Sequence, residues 1–115
     1  MEKQTIQEIV NLKAEELSVK HGSKITPFVF KLDDDSPEVI GYIKQPSRAM
    51  KLRMMDKSIT GSYTAASEVY DAIILKEESD PRLTSDAPEN DVYYMGGVME
   101  AYKTVEMAIN TLKKN

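Results

Sequence analysis

The rhythm of apolar and polar positions changes twice along this chain, and each change marks a new kind of element. Between residues 5 and 21, Ile6, Ile9, Val10, Leu17 and Val19 interleave with charges at approximately helical spacing. Thr5, followed three residues later by Glu8, has the pattern of a capping box. His21-Gly22 supplies a stop, because glycine readily takes the left-handed conformation that closes a helix. The rhythm then shortens to two. Phe28, Phe30 and Leu32 fall on one side of an extended segment, and Ile40 and Tyr42 share a face of a second. The polar stretch Asp33-Asp-Asp-Ser-Pro joins them, so the two segments predict an antiparallel hairpin over 25–45. Pro27 sits near the start of its strand, where a missing N–H does least harm. A lone hairpin is marginal in water, so the helices are expected to cover its apolar face.

After the hairpin the helical rhythm returns and stays. Pro46 ends strand pairing, since it cannot donate to a ladder. Ser47 can then accept from the free N–H groups that open a helix. That helix is expected to run to about residue 56, with Met50, Leu52, Met54 and Met55 among its apolar residues, until Thr60-Gly-Ser breaks it. A second helix is predicted over 63–78, with Ala66, Val69, Tyr70, Ile73 and Ile74 as its core-facing stripe. The segment from Ser79 to Asp91 is rich in turn residues and reads as an exposed connection. The last helix, over 89–113, is the longest. Tyr94, Val98, Ala101, Val105, Ala108 and Leu112 recur at spacings of four, three, four, three and four, a seam suited to packing along another helix. Gly96-Gly97 interrupts it at about 1 kcal/mol per glycine relative to alanine, so a close approach of a neighbouring backbone or a bend is expected there. The predicted fold is α+β and mostly helical: an N-terminal helix, one antiparallel β-hairpin, then three helices with a long C-terminal helix. It is read as a single domain over 1–115, with its helical part at 47–113.

Composition narrows the function. A chain of 115 residues, 41% hydrophobic and 30% charged, has enough apolar surface for one modest core. No run approaches the roughly 20 apolar residues that span a bilayer. The polar, mixed-charge N-terminus lacks the character of a secretory signal, so a cytoplasmic location without membrane attachment is expected. Cysteine is absent, which removes disulfides, thiol nucleophiles and Cys-based metal sites together. Formal net charge is −4 and the isoelectric point about 5.0, against the basic face a nucleic-acid binder usually carries. The densest basic stretch, with Lys44, Arg48, Lys51, Arg53 and Lys57, reads first as the solvated side of an amphipathic helix. Binding of nucleic acid through it is the alternative.

Candidate chemistry is sparse. His21, the one histidine, lies at a helix end, where its protonated form would favour the negative pole. Asp33, Asp34 and Asp35 could offer oxygen ligands, but lack the glycine and trailing glutamate of a calcium loop. The glycines make no phosphate-cradling pattern. No catalytic residue, metal or cofactor is expected, and the chain is read as non-enzymatic. The distinctive residues are soft ones: Tyr93, Tyr94, Met95, Met99, Tyr102 and Met107 crowd one helix. Methionine adapts to irregular surfaces, and tyrosine combines apolar area with a polar tip. These six are the candidate partner-binding residues. Core packing, contact within a homo-oligomer and a groove for another protein all remain open for them.

The order of elements, with the join Gly41-Tyr42-x-x-x-Pro46-Ser47-Arg48, resembles the tail assembly chaperones of long-tailed bacteriophages over about residues 28–114. The resemblance implies a small, acidic, non-enzymatic protein made in an infected bacterium and absent from the finished virion. It implies binding to the long, helical, aggregation-prone tape-measure protein while tail-tube subunits polymerise around it, and oligomerisation in some members. Tyr42, Pro46, Ser47 and Arg48 would then determine the shape of the join. The helix before Ile25 is longer than the family leads one to expect, and an adaptor of another origin is the competing reading.

Overall fold

Thr5 starts the first helix as its side chain accepts the Glu8 amide at 3.1 Å. The structure, a computed structural model, describes the backbone of residues 5–55 and 62–114, with the side chains of 5–54 and 64–106. Helix α1 (Ile6–His21) closes at Gly22, whose φ of 68° is left-handed and whose N–H donates to the Val19 carbonyl. Strands β1 (Ile25–Phe30) and β2 (Val39–Lys44) pair antiparallel, with Phe28 opposite Gly41 and Pro27 opposite Tyr42. Ser47 accepts the Met50 amide and opens α2 (Arg48–Met55). Helices α3 (Ser62–Ile73) and α4 (Asp91–Lys114) complete the α+β layout anticipated from the sequence. The expected break at Thr60-Gly-Ser falls largely outside the described residues.

The hairpin is covered on both faces, more than its alternation alone required. Ile25, Val29, Ile40 and Tyr42 pack with Val10, Ala14 and Leu17 of α1. On the other side Phe28, Val39 and Ile43 join Met54, Val69, Tyr70, Val98, Ala101 and Val105 from the three later helices. Each of these large side chains contributes roughly 1.5–3 kcal/mol on full burial, so the layers hold one another in place. Leu32, read as continuing the face of Phe28 and Phe30, lies beyond the strand end and is exposed.

Helix α3 stops five residues before the expected position 78. The free edge of β2 captures the chain that follows. Ile74 bridges Ile43, the Leu75 amide donates to the Tyr42 carbonyl at 2.9 Å, and the Asp80 amide donates to the Ile40 carbonyl at 2.9 Å. The buried hydroxyl of Ser79 accepts the Tyr42 amide at 2.9 Å, so both edges of β2 are satisfied. The connection to α4 is likewise more ordered than its turn-rich composition suggests. It forms two short 3₁₀ turns, Pro81–Thr84 and Pro88–Asn90, and sinks Leu83 fully into the core.

Gly96-Gly97 does not interrupt α4, which is continuous across it, and the nearest atoms pressing on the pair are not backbone. They belong to side chains. A Cβ at position 96 would stand 2.7 Å from the Phe30 ring, and one at 97 would overlap the Tyr70 hydroxyl. The pair exists so that two aromatic side chains can reach the helix surface.

Candidate functional site

Helices α3 and α4 run against each other, and a groove of 370 Å³ lies along their contact. Thr64 and Ser67 form one wall, and Tyr94, Met95, Val98 and Met99 the other. The Ser67 and Tyr94 hydroxyls at its rim are already engaged. The Ser67 hydroxyl donates to the Thr64 carbonyl at 2.8 Å, and the Tyr94 hydroxyl donates to Asp71 at 2.8 Å. Apart from the Thr64 hydroxyl, methyl, thioether and ring surface faces an occupant. Met95 is 67% exposed and Met99 40%, and Val92 is exposed one turn before Met95. These three residues, spaced three and four apart, make an apolar strip on the side of α4 that the core does not use.

Five of the six candidate residues have described side chains, and they separate into two groups. Tyr93, Tyr94 and Tyr102 are half-buried and pack against the main core. The Tyr94 ring lies 5.4 Å from that of Tyr70, and the Arg82 guanidinium sits 4.5 Å from the Tyr93 centroid. Arg82 is itself fixed by Asp80 at 2.7 Å. The hydrogen bond from Arg82 is the main reason the Asp80 carboxyl is held below its ordinary value, with burial opposing it. Burial chiefly, then the bond to Asp71, pushes the Tyr94 phenol up. Met95 and Met99 face outward, while the Met107 side chain lies outside those described. Sequence reading passed over Val92, Thr64 and Ser67. Val92 carried a signal in its spacing from Met95 and Met99, whereas the two α3 residues are identified by packing alone.

The join residues occupy structural positions. Tyr42 is buried between β2 and α1, with the Lys13 ammonium 5.6 Å from its ring centroid. Its phenol is pushed up, mainly by burial and then by Glu78. Pro46 is half-buried, Ser47 caps α2, and Arg48 is exposed. Of the basic stretch, Arg53 is held by Glu68 at 2.8 Å and Lys51 is half-buried. Lys57 lies outside the described residues. The Asp33 carboxylate turns back onto its own loop, accepting from the Asp35 amide and the Ser36 hydroxyl. Among the described residues no three His, Cys, Asp or Glu side chains converge as a metal site. No described helix is long and apolar enough to cross a membrane.

Fold and groove together define a small α+β domain that presents an apolar cleft between two helices. The chain matches no protein-family model, no curated protein and no solved structure.

Proposed function

We propose that this chain is a non-enzymatic assembly chaperone whose α3–α4 groove holds an amphipathic helix of an elongated partner. The carrying observation is the exposed strip Val92, Met95 and Met99 beside a groove whose Ser67 and Tyr94 hydroxyls are internally bonded. A helix laying an apolar face into such a groove presents side chains at the same three-and-four spacing, and methionine re-packs to fit sequences that vary along a long partner. The resemblance carried by Tyr42, Pro46, Ser47 and Arg48 supports a more specific reading. The partner is the tape-measure protein of a long-tailed phage, bound in the cytoplasm of the infected bacterium. The net charge of −4 keeps such a complex soluble while apolar helices are shielded.

The test begins beside the gene. A very long helical reading frame downstream, reached through a frameshift site or an overlapping frame, supplies the partner to co-express. The chain is expected to co-purify with it. Met95→Glu with Met99→Glu is expected to weaken binding at least about tenfold, because two charges would be buried against apolar surface. The melting temperature should stay nearly unchanged, since both side chains are exposed. Equal binding by the double variant, or retention of no such partner, contradicts the reading.

A further inference from the structure

Helix α1 has two apolar faces, and the fold uses only one. Val10, Ala14 and Leu17 pack on the hairpin. At 100° per residue, Ile9, Leu12 and Val19 point away from it, and they are 47%, 49% and 85% exposed. Ile9, Leu12, Glu16 and Val19 follow one another at spacings of three, four and three, the seam of a two-stranded coiled coil. In heptad terms Ile9 and Glu16 take the a positions, and Leu12 and Val19 the d positions.

The charges beside this seam are sorted by sign. Glu8 and Glu15 flank it at the g positions, and Lys13 and Lys20 at the e positions. In a parallel pair each g residue meets the e residue five positions later in the other helix, bringing Glu8 to Lys13 and Glu15 to Lys20 on both sides. An antiparallel pair would set glutamate against glutamate and lysine against lysine. We infer that the outward face of α1 is a self-association surface through which two copies of this chain pair as parallel, in-register helices.

Lys13 and Lys20 stand 3.8 and 3.5 Å from Glu78 of their own chain, but both are well exposed and such pairs are weakly held. They can turn to glutamates of a second copy. Each α1 is already folded on its hairpin, so pairing avoids the nucleation cost that defeats short isolated helices. Glu16 opposes its own counterpart at the seam and keeps the pair weak and reversible. Because α1 and the α3–α4 groove lie on opposite faces of the hairpin, the dimer leaves two grooves open.

Sedimentation of the full chain over a concentration series tests this. The natural chain is expected to show a reversible monomer–dimer equilibrium. Leu12→Asp should abolish the dimer with the melting temperature unchanged, and Glu16→Leu should move its midpoint to about tenfold lower concentration. In this cysteine-free chain, Val19→Cys should cross-link to a dimer on mild oxidation, since residues at 19 meet only in the parallel register. Monomer throughout, with none gained by Glu16→Leu, overturns the inference. So does a dimer that survives Leu12→Asp, or one whose Val19→Cys form does not cross-link. A dimer lost on Met95→Glu instead assigns self-association to the groove. None of the α1 substitutions touches the groove, so this surface and the partner reading fail separately.

Discussion

Tyr42, Tyr70 and Tyr94 each bury a ring and find a partner or a neighbour for the hydroxyl end. Tyr70 is fully buried and donates to the Leu83 carbonyl at 3.0 Å, while Tyr94 spans from the core to Asp71. Burial is the first cause raising all three phenols, with Glu78 adding to it for Tyr42, Tyr94 and Asp71 for Tyr70, and the Asp71 bond for Tyr94. The raised value means the native state holds these protons more tightly than the unfolded chain does. Their stabilising contribution is therefore complete below an unfolded-state value of about 10 and is lost as pH rises beyond it. Thermal melts between neutral and strongly alkaline pH should show stability falling above that point. Tyr70→Phe should lower stability at neutral pH and flatten the alkaline fall, and an unchanged fall would show that other groups control it. The same side chains show what the sequence could not sort. Tyr94 belongs both to the 3.5-residue seam and to the soft cluster, so pattern alone could not separate it from Met95, its outward neighbour.

The elements that local rules govern were legible, and those governed by distant contacts were not. Thr5 and Gly22 bound α1, and Pro46-Ser47 converts strand to helix, each through chemistry within a few residues. The end of α3 depends instead on the bare edge of β2, some thirty positions earlier: the Ile74 amide still donates to the Tyr70 carbonyl, and the Leu75 amide turns to the Tyr42 carbonyl instead. Leu83 is hidden in a polar connection, its side chain in the same core cluster as Tyr70, whose hydroxyl donates to the Leu83 carbonyl. In α4 the two glycines look like weak points, yet alanine at position 97 would set a Cβ 2.9 Å from the Tyr70 ζ carbon and 3.0 Å from Leu83. Alanine gains about 1 kcal/mol of helix propensity, while overpacking a fixed core costs typically 1–3 kcal/mol. Gly97→Ala should therefore leave the protein about 1 kcal/mol less stable in denaturant melts. A stabilised variant would mean that Tyr70 moves aside freely.

Taken whole, the molecule is a hairpin sandwiched between α1 and the α2–α4 layer, with an unpartnered apolar surface on each outer side. The α1 seam is small and flanked by sorted charges, which suits a copy of itself. The α3–α4 groove has bonded Ser67 and Tyr94 hydroxyls and exposed thioethers, which suits helices of varied sequence. The six soft residues drew notice in the sequence because they crowd one helix; the division of the five with described side chains into core and outward-facing arises from how α4 rotates against α3.

The proposed binding of a helical partner segment in the groove is most directly tested by titration of the chain with its seven methionine methyls isotopically labelled for NMR. Addition of an amphipathic helical segment of the proposed tape-measure partner should shift the Met95 and Met99 signals together and leave buried Met54 in place. Saturable binding that leaves Met95 and Met99 unmoved would contradict the account.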